Sequence, residues 1–142
     1  MAYADPAKVI AKLLNTHKAT LGVDDVLVGD NRVSTVGRSG LIVNASSSGI
    51  ASGSAAQSYM SNVLIYCPDT VVGNYTTTKD GVDKAFAVAG RIDALMRSIP
   101  ALYTGGLHLV NPVCTAPFQT KDPLSDLDVV SLSIDYSLVQ GD

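Results

Sequence analysis

The chain has 142 residues, a length that suits one domain with a single hydrophobic core. Hydrophobic residues make up 46% of it and charged residues only 16%, so either part of its surface is covered in an oligomer or Ser, Thr, Gly and Asn supply the polar surface. The formal net charge is −3 and the ten Lys and Arg residues are scattered, which argues against sequence-specific binding to nucleic acid.

The first predicted element is an amphipathic helix. Asp5 followed by Pro6 is typical of an N-cap and a first helical residue, because Asp accepts hydrogen bonds from free amides and Pro has no amide to leave unsatisfied. Gly22 ends the pattern. The stripe that we expect to be buried follows helical spacing and consists of Val9, Ile10, Leu13, Leu14 and His17.

Short strands are predicted next. Residues 26–28 and 32–36 are β-branched runs on either side of Gly29, Asp30 and Asn31, a combination that predicts a hairpin. The segment from about 37 to 57 is rich in Gly and Ser, and we predict a flexible loop there, entered through a strand at 41–45. A further strand is predicted at 59–67, where Pro68 ends it.

The second half contains a second predicted helix and two predicted strands. Residues 107–113 are strand-like, and the prolines near them indicate an edge or a short strand. From Val130 to Leu138 apolar and polar residues alternate strictly, which predicts a strand with one buried face. The helix has four possible N-caps, Thr76, Thr77, Thr78 and Asp80, and ends before Pro100. Its apolar positions are Val82, Phe86, Ala89, Ile92, Leu95, Met96 and Ile99.

This order of elements favours an α+β fold, with a mixed, mostly antiparallel β-sheet and two α-helices packed on one face, in a single domain that spans residues 1–142. No apolar run is long enough to cross a bilayer, and the first residues, MAYADPAK, lack the features of a signal peptide. We therefore expect synthesis in the cytoplasm and no membrane partner. Cys67 and Cys114 lie beside apolar strands, and we expect both to be buried and reduced.

Side chains that carry catalytic chemistry are few. His17 and His108 have no partners at metal-ligand spacing, and the Gly/Ser-rich segment lacks the order of a phosphate-binding loop. We therefore expect no catalytic, metal-binding or cofactor-binding site, and a protein that is not an enzyme. One alternative from another class stays open: a small ligand-binding or enzymatic domain that uses the Ser-rich segment as a lid, with Cys67, Cys114 and His108 as its reactive groups.

Three stretches carry a resemblance to a known family. They are VLIYCPD at 63–69, LMRSIPAL at 95–102, which is followed by a strand from Gly106, and VVSLSIDYSL at 129–138. Their order resembles the strand, helix, turn and closing hairpin of the tail terminator proteins of long-tailed bacteriophages, the minor tail proteins of the U type. The resemblance covers about half the chain, and the long Ser and Gly insertion departs from the family pattern.

The resemblance implies a structural role in the virion. Members of that family form a homohexameric ring that caps the tail tube, stops its polymerisation and presents a surface to the head-completion or connector protein. It implies assembly in the host cytoplasm and a lumen through which DNA passes, which an acidic net charge suits because it repels phosphate. The alternative in the same class is another neck, tail-completion or head-completion adaptor protein. The residues that we predict at the assembly interface are Arg38, Leu41, Ile42, Ile50, Tyr59, Arg91 and Arg97.

Overall fold

The fold is described from a computed structural model over residues 5–29, 38–48, 56–74, 76–98, 101–104 and 107–140. Two predictions fall outside these residues: the strand at 32–36 and the contact residue Ile50. None of the helices in the described ranges is both long enough and apolar enough to span a membrane.

The first helix begins where the sequence predicts, and the helical segment stops at Gly22 as predicted, but it is divided into two helices at His17. Helix α1 spans Pro6–Thr16 and a short helix α2 spans Lys18–Leu21. The Asp5 carboxylate accepts a hydrogen bond of 3.0 Å from the Ala7 amide, which confirms the predicted N-cap. Gly22 follows α2 with φ of +79°, a conformation that residues with a Cβ adopt only under strain.

After these two helices the chain continues with β1 (Asp25–Val28), β2 (Gly40–Ser48), β3 (Ala56–Tyr66), β4 (Val71–Val72), β5 (Thr76–Thr77), α3 (Gly81–Ser98), β6 (Ala101–Thr104), β7 (Leu107–Cys114), β8 (Phe118–Lys121) and β9 (Asp128–Gln140). Seven of the strands form the main sheet in the order β1-β2-β3-β9-β7-β6, with β8 also paired to β9. Among these pairs β1 and β2 run parallel and the others antiparallel, so the predicted α+β fold with a mixed, mostly antiparallel sheet is confirmed. A small separate sheet pairs β4 with β5.

The prediction of a loop from about 37 to 57, entered through a strand at 41–45, is wrong at both sides of the loop. Strand β2 spans Gly40–Ser48 and so continues beyond the predicted strand, while β3 already begins at Ala56; the two pair from Gly40 opposite Tyr66 to Ser48 opposite Tyr59. Residues 49–55 lie outside the described ranges. A composition rich in Ser and Gly argues against a segment that builds a core by itself, but it does not prevent backbone pairing. Here β3 lies between β2 and β9, so its backbone groups find partners on both sides.

The structure adds one strand pairing and corrects another prediction. Strand β1 pairs in parallel with β2, with Val26 opposite Leu41, and the hairpin partner predicted for it at 32–36 lies outside the described residues. Strand β7 is not an edge strand along its first half, because it lies between β9 and β6. Its Pro112 falls at the register shift between Val110 and Val113, beyond the last residue that β6 pairs, where a missing amide costs no ladder hydrogen bond.

Both main helices cover one face of the sheet, as predicted. Helix α1 contacts β1, β2 and β3, and helix α3 contacts β3, β7 and β9. The alternating residues of β9 are buried beneath them, which confirms the strand with one buried face. Ser61 and Tyr136 share a hydrogen bond of 2.6 Å inside this core. The other face of the sheet holds a smaller apolar cluster around Ile42 and Val129.

Candidate functional site

Two of the predicted interface residues lie inside the fold. Leu41 is fully buried on the helix-covered face of the sheet, and Ile42 is 2% exposed in the cluster on the opposite face. Adjacent strand residues point to opposite faces, and here both faces are covered at this position. Neither side chain is therefore a contact surface of the folded chain, which corrects that part of the prediction.

The other predicted interface residues do not form one patch. Tyr59 is half-buried, with its ring centroid 6.1 Å from that of Tyr136, so it contributes to packing. Arg38 is exposed and makes two hydrogen bonds, of 2.9 and 2.8 Å, to the carboxylate of Asp25, whose pKa they lower. Arg97, near the end of α3, is exposed and pairs with Asp93 at 3.1 Å. Arg91 lines a cavity that is described below.

A hairpin outside the main sheet carries exposed apolar residues. We call residues 70–78 the arm; it contains β4, a turn at Gly73 and Asn74, and β5. Val71 is 66% exposed and Val72 is 51% exposed. The strands of the arm have only two residues each, too few for a strand pattern, although three residues that include Gly between two β-branched pairs are a hairpin signal in the sequence.

Hydrogen bonds hold the base of the arm in place. The carboxylate of Asp80 accepts bonds of 2.7 Å from both the amide and the hydroxyl of Thr70, and these hold the pKa of Asp80 well below its usual range. The Thr78 amide donates to the Thr70 carbonyl oxygen at 2.9 Å. The Asp80 side chain thus closes the arm. The amide of Gly81, at the start of α3, instead donates to Asp69 Oδ1 at 2.8 Å.

A second exposed apolar surface lies on the main sheet. Val113 on β7 is 61% exposed and Phe118 on β8 is 57% exposed. Their partners on β9 are Asp135 and Ser131, which alternate with the buried Leu132 and Ile134, so Val113 and Phe118 belong to the face that the helices leave uncovered. We call this pair the β7–β8 patch.

A cavity of about 410 Å³ lies between helix α3, the end of α2 and the starts of β1 and β2. We call it the Lys84–Arg91 cavity. The carboxylate of Asp24 accepts from the amide of Ser39 at 2.9 Å. Lys84 Nζ donates to the Pro68 carbonyl oxygen at 3.0 Å. The cavity is lined by Gly22, Asp24, Ser39, Cys67, Pro68, Lys84, Ala87, Val88 and Arg91.

The two cysteines are free thiols with little nucleophilic character. Burial raises the pKa of Cys67, although the nearby cations of Lys84 and Arg91 act in the opposite direction. Burial and the neighbouring carboxylate of Asp93 raise the pKa of Cys114 to about 12. Both thiols are therefore protonated at neutral pH, and a thiol is a poor nucleophile. Within the described ranges, no three His, Cys, Asp or Glu side chains are grouped to hold a metal ion.

Comparisons with known proteins do not place the chain in a family. No protein-family model matches it, and a search of curated proteins finds no match. A functional assignment therefore depends on the surfaces of the fold: the arm, the β7–β8 patch and the Lys84–Arg91 cavity.

Proposed function

We propose that this chain is a structural virion protein that assembles with copies of itself into a ring, in the manner of a bacteriophage tail terminator. In that role the ring caps the tail tube, stops its polymerisation and offers a joining surface to a head-completion or connector protein. The observation that carries self-assembly is the arm, because it exposes apolar residues on a hairpin that is fixed at its base. The phage role itself comes from the resemblance of the three sequence stretches.

The arm has the features of a contact element. Val71 and Val72 are consecutive in β4, so they point to opposite faces, and both are exposed. A two-stranded hairpin by itself is only marginally stable in water. Burial of an exposed Val side chain contributes on the order of 2 kcal/mol, so a partner that covers the arm stabilises both itself and the hairpin.

The β7–β8 patch provides a second, different surface. A closed ring requires head-to-tail contacts, in which one surface of each copy meets another surface of the next. The arm lies outside the main sheet, whereas Val113 and Phe118 lie on its uncovered face, so the two surfaces are distinct. This pair of surfaces supports a ring over a two-fold dimer, which needs one self-complementary surface.

The negative net charge of the chain suits a ring through which DNA passes. With a net charge of −3 and no basic cluster, a lumen formed by this protein repels DNA and lets it slide. The expected partners are further copies of the chain, a tail tube protein and a head-completion or connector protein. Sequence-specific binding to nucleic acid is not part of the proposal.

Mass in solution tests self-assembly. We expect light scattering behind a sizing column to give six times the chain mass of 14.7 kDa, and negative-stain images to show rings. The double variant Val71→Asp/Val72→Asp should run as a monomer with an unchanged circular dichroism spectrum. Leu124→Asp is the control, since Leu124 is also exposed but lies outside the arm and the β7–β8 patch. A wild-type chain that stays monomeric at high concentration, or an arm variant that still forms rings, would contradict the proposal.

A neck or head-completion adaptor is the second candidate, because the same two surfaces suit any ring at the head–tail joint. Sedimentation with purified tail tubes and with purified head connectors separates the two. A terminator should bind tube ends and prevent their elongation when tail tube subunits are added. An adaptor should bind the connector and leave tube elongation unchanged.

A further inference from the structure

We propose that the Lys84–Arg91 cavity binds a small anionic ligand through a carboxylate or phosphate group. This site is separate from the arm and from the β7–β8 patch, so the proposal goes beyond the assembly function and does not depend on it. Four observations support it. They are the volume of the cavity, the unused N–H donors of Arg91, the position of Lys84 on the same side of the helix, and the hydrogen bonds and protonation of the carboxylates and the thiol nearby.

The cavity has the size and lining of a small-molecule site. Its volume of about 410 Å³ falls in the range that ligand pockets occupy. Ala87, Val88 and Pro68 form apolar walls, and the hydroxyl of Ser39 and the cations supply a few polar groups. Such a mixture is typical of sites that bury the body of a ligand and fix its charged end.

Arg91 is positioned and still has unused donors. Its Nη1 donates to the Leu21 carbonyl oxygen at 3.0 Å, the only hydrogen bond that it makes within the described part of the chain. Gly22 makes this position possible, since a Cβ there would lie 3.0 Å from Nη1. A guanidinium carries five N–H donors in a planar fork that matches the two oxygens of a carboxylate or phosphate. One bond orients the group and the remaining donors are available to a ligand.

Lys84 lies on the same side of helix α3 as Arg91. They are seven positions apart, which is about two helical turns, and Ala87 and Val88 lie between them on the same side. Gly22 at the end of α2 and Ser39 at the start of β2 lie opposite this side of the helix and complete the cavity. The Pro68 carbonyl oxygen, 3.0 Å from Lys84 Nζ, holds the ammonium group there.

The carboxylates nearest the cavity are already hydrogen-bonded or paired. The Asp24 carboxylate accepts from the amide and the hydroxyl of Ser39, at 2.9 and 3.3 Å. The Asp80 carboxylate accepts from Thr70 and forms a salt bridge of 3.6 Å with Lys84 Nζ. The thiol of Cys67 stays neutral at pH 7 because burial raises its pKa. Among the described residues no carboxylate pairs with the Arg91 guanidinium, so Arg91 is the principal anion-binding group and Lys84 adds a partly compensated positive charge.

Thermal unfolding with inorganic phosphate and with citrate, each at constant ionic strength, tests the site. A ligand that binds the folded chain raises the melting temperature along a saturable curve, by about 4 °C at ten times its Kd. Phosphate and citrate also stabilise proteins through exclusion from the surface, an effect that grows steadily with concentration. Stabilisation by exclusion is the same in the wild type and in every variant, so it cancels when their melting temperatures are compared.

Two variants and one control make the result specific. Lys84→Gln/Arg91→Gln removes both cations, and Ala87→Leu fills the cavity while it keeps them; we expect both to lose the saturable part of the shift. Lys8→Gln/Lys12→Gln removes the same number of positive charges from the exposed side of helix α1, and this control should retain the saturable shift in melting temperature.

The proposal is overturned if the wild type shows no saturable shift with either anion, or if the shift persists in both cavity variants. A shift with phosphate alone assigns a phosphate group to the ligand, and a shift with citrate alone assigns a carboxylate. Sizing-column mass, measured in parallel, reports on the ring independently, so failure of one proposal is distinguishable from failure of the other.

Discussion

Gly81 shows how closely the backbone of helix α3 approaches the end of β3. A Cβ at this position would overlap the carbonyl oxygen of Cys67 and would lie 2.8 Å from Asp69 Oδ1, the atom that accepts the Gly81 amide hydrogen. Gly90, in the middle of the same helix, has no atom within 4 Å of the position of its missing Cβ. The same substitution therefore has opposite consequences at two glycines of one helix.

We expect Gly81→Ala to lower the free energy of unfolding by about 2 kcal/mol, because the added Cβ meets a backbone carbonyl oxygen and the Asp69 carboxylate that accepts from the Gly81 amide. Gly90→Ala should raise it by about 1 kcal/mol, since Ala has the higher helix propensity and Gly90 is exposed. Urea unfolding followed by circular dichroism measures both. If Gly81→Ala also raised the free energy of unfolding, the space around Gly81 would be larger than the structure indicates.

Residue-level prediction was weakest where a strand is buried on both faces. Leu41 and Ile42 were expected at an interface because they are apolar residues in a Gly/Ser-rich segment. The sequence does not show that helix α1 covers one face of β2 and that a second cluster covers the other. The place of Arg91 at an assembly interface stays a prediction. Its cavity depends on residues far apart in the chain, such as Gly22, Ser39 and Pro68, and no sequence pattern shows that the fold brings them together.

At the scale of elements, the junction between β3, the arm and α3 depends on two aspartates with different roles. Asp69 accepts from the first amide of α3, and Asp80 accepts twice from Thr70 at the base of the arm. The sequence offered Asp80 as one of four possible helix caps, because Asp is a typical N-cap residue. In the structure its side chain instead bonds to Thr70, and these hydrogen bonds hold the base of the arm.

We expect the bond between Asp80 and Thr70 to make stability depend on pH in the acid range. The hydrogen bonds from the Thr70 hydroxyl and amide lower the pKa of Asp80 in the folded chain, so the folded state binds its proton less readily than the unfolded state. This stabilisation is complete above the ordinary Asp pKa of about 4 and is lost as pH falls below it. Thermal unfolding of wild type and Asp80→Asn between pH 6 and 2 measures the effect.

The difference in melting temperature between wild type and Asp80→Asn should be largest at pH 6 and should shrink toward pH 2. The carboxylates of Asp25 and Asp128 also have lowered pKa values, through Arg38 and Lys121, but both proteins contain them and their effect cancels in the difference. A difference that stays constant with pH would mean that the carboxylate charge of Asp80 does not hold the arm.

Elements with strong periodicity or caps were predicted well, and short or polar ones were not. Helix α3 and the alternation of β9 were confirmed because a buried stripe and a buried face leave a direct trace in the sequence. The polar ends of β2 and β3 leave none, and the arm leaves only a short turn signal. Backbone pairing with neighbours far along the chain fixes β2 and β3, and side-chain bonds to Asp80 fix the arm. Such interactions are set by the tertiary fold.

For the molecule as a whole, strand β9 joins the parts of the fold. It pairs with β3 on one side and with β7 and β8 on the other, and its buried residues lie under helix α3. One core cluster contains residues from both main helices and from the sheet. With a single shared core, we expect the helices and the sheet to unfold together.

We expect Ile134→Ala, at the centre of β9, to lower the free energy of unfolding by about 3 kcal/mol and to shift every probe equally. Far-ultraviolet circular dichroism reports on the helices. Fluorescence of the six tyrosines, in a chain without Trp, reports on their packing. Val113→Ala, at an exposed site on the neighbouring strand, is the control and should have little effect on a monomeric sample. Transitions that separate between the two probes would show that the sheet and helices are independent units.

The central position of β9 also determines the order in which the chain folds. Its partners on β3 come much earlier in the sequence: the hydroxyls of Ser58 and Ser137, which share a hydrogen bond, are 79 residues apart. The entropy of closing so long a loop must be lost before the pairing stabilises anything, which slows folding. During synthesis, one edge of β3 therefore stays unpaired until β9 has been synthesised. At high concentrations of nascent chains, that edge offers the β9 of a neighbouring copy the same register, and we expect crowded expression to yield strand-exchanged dimers beside the correctly folded chain.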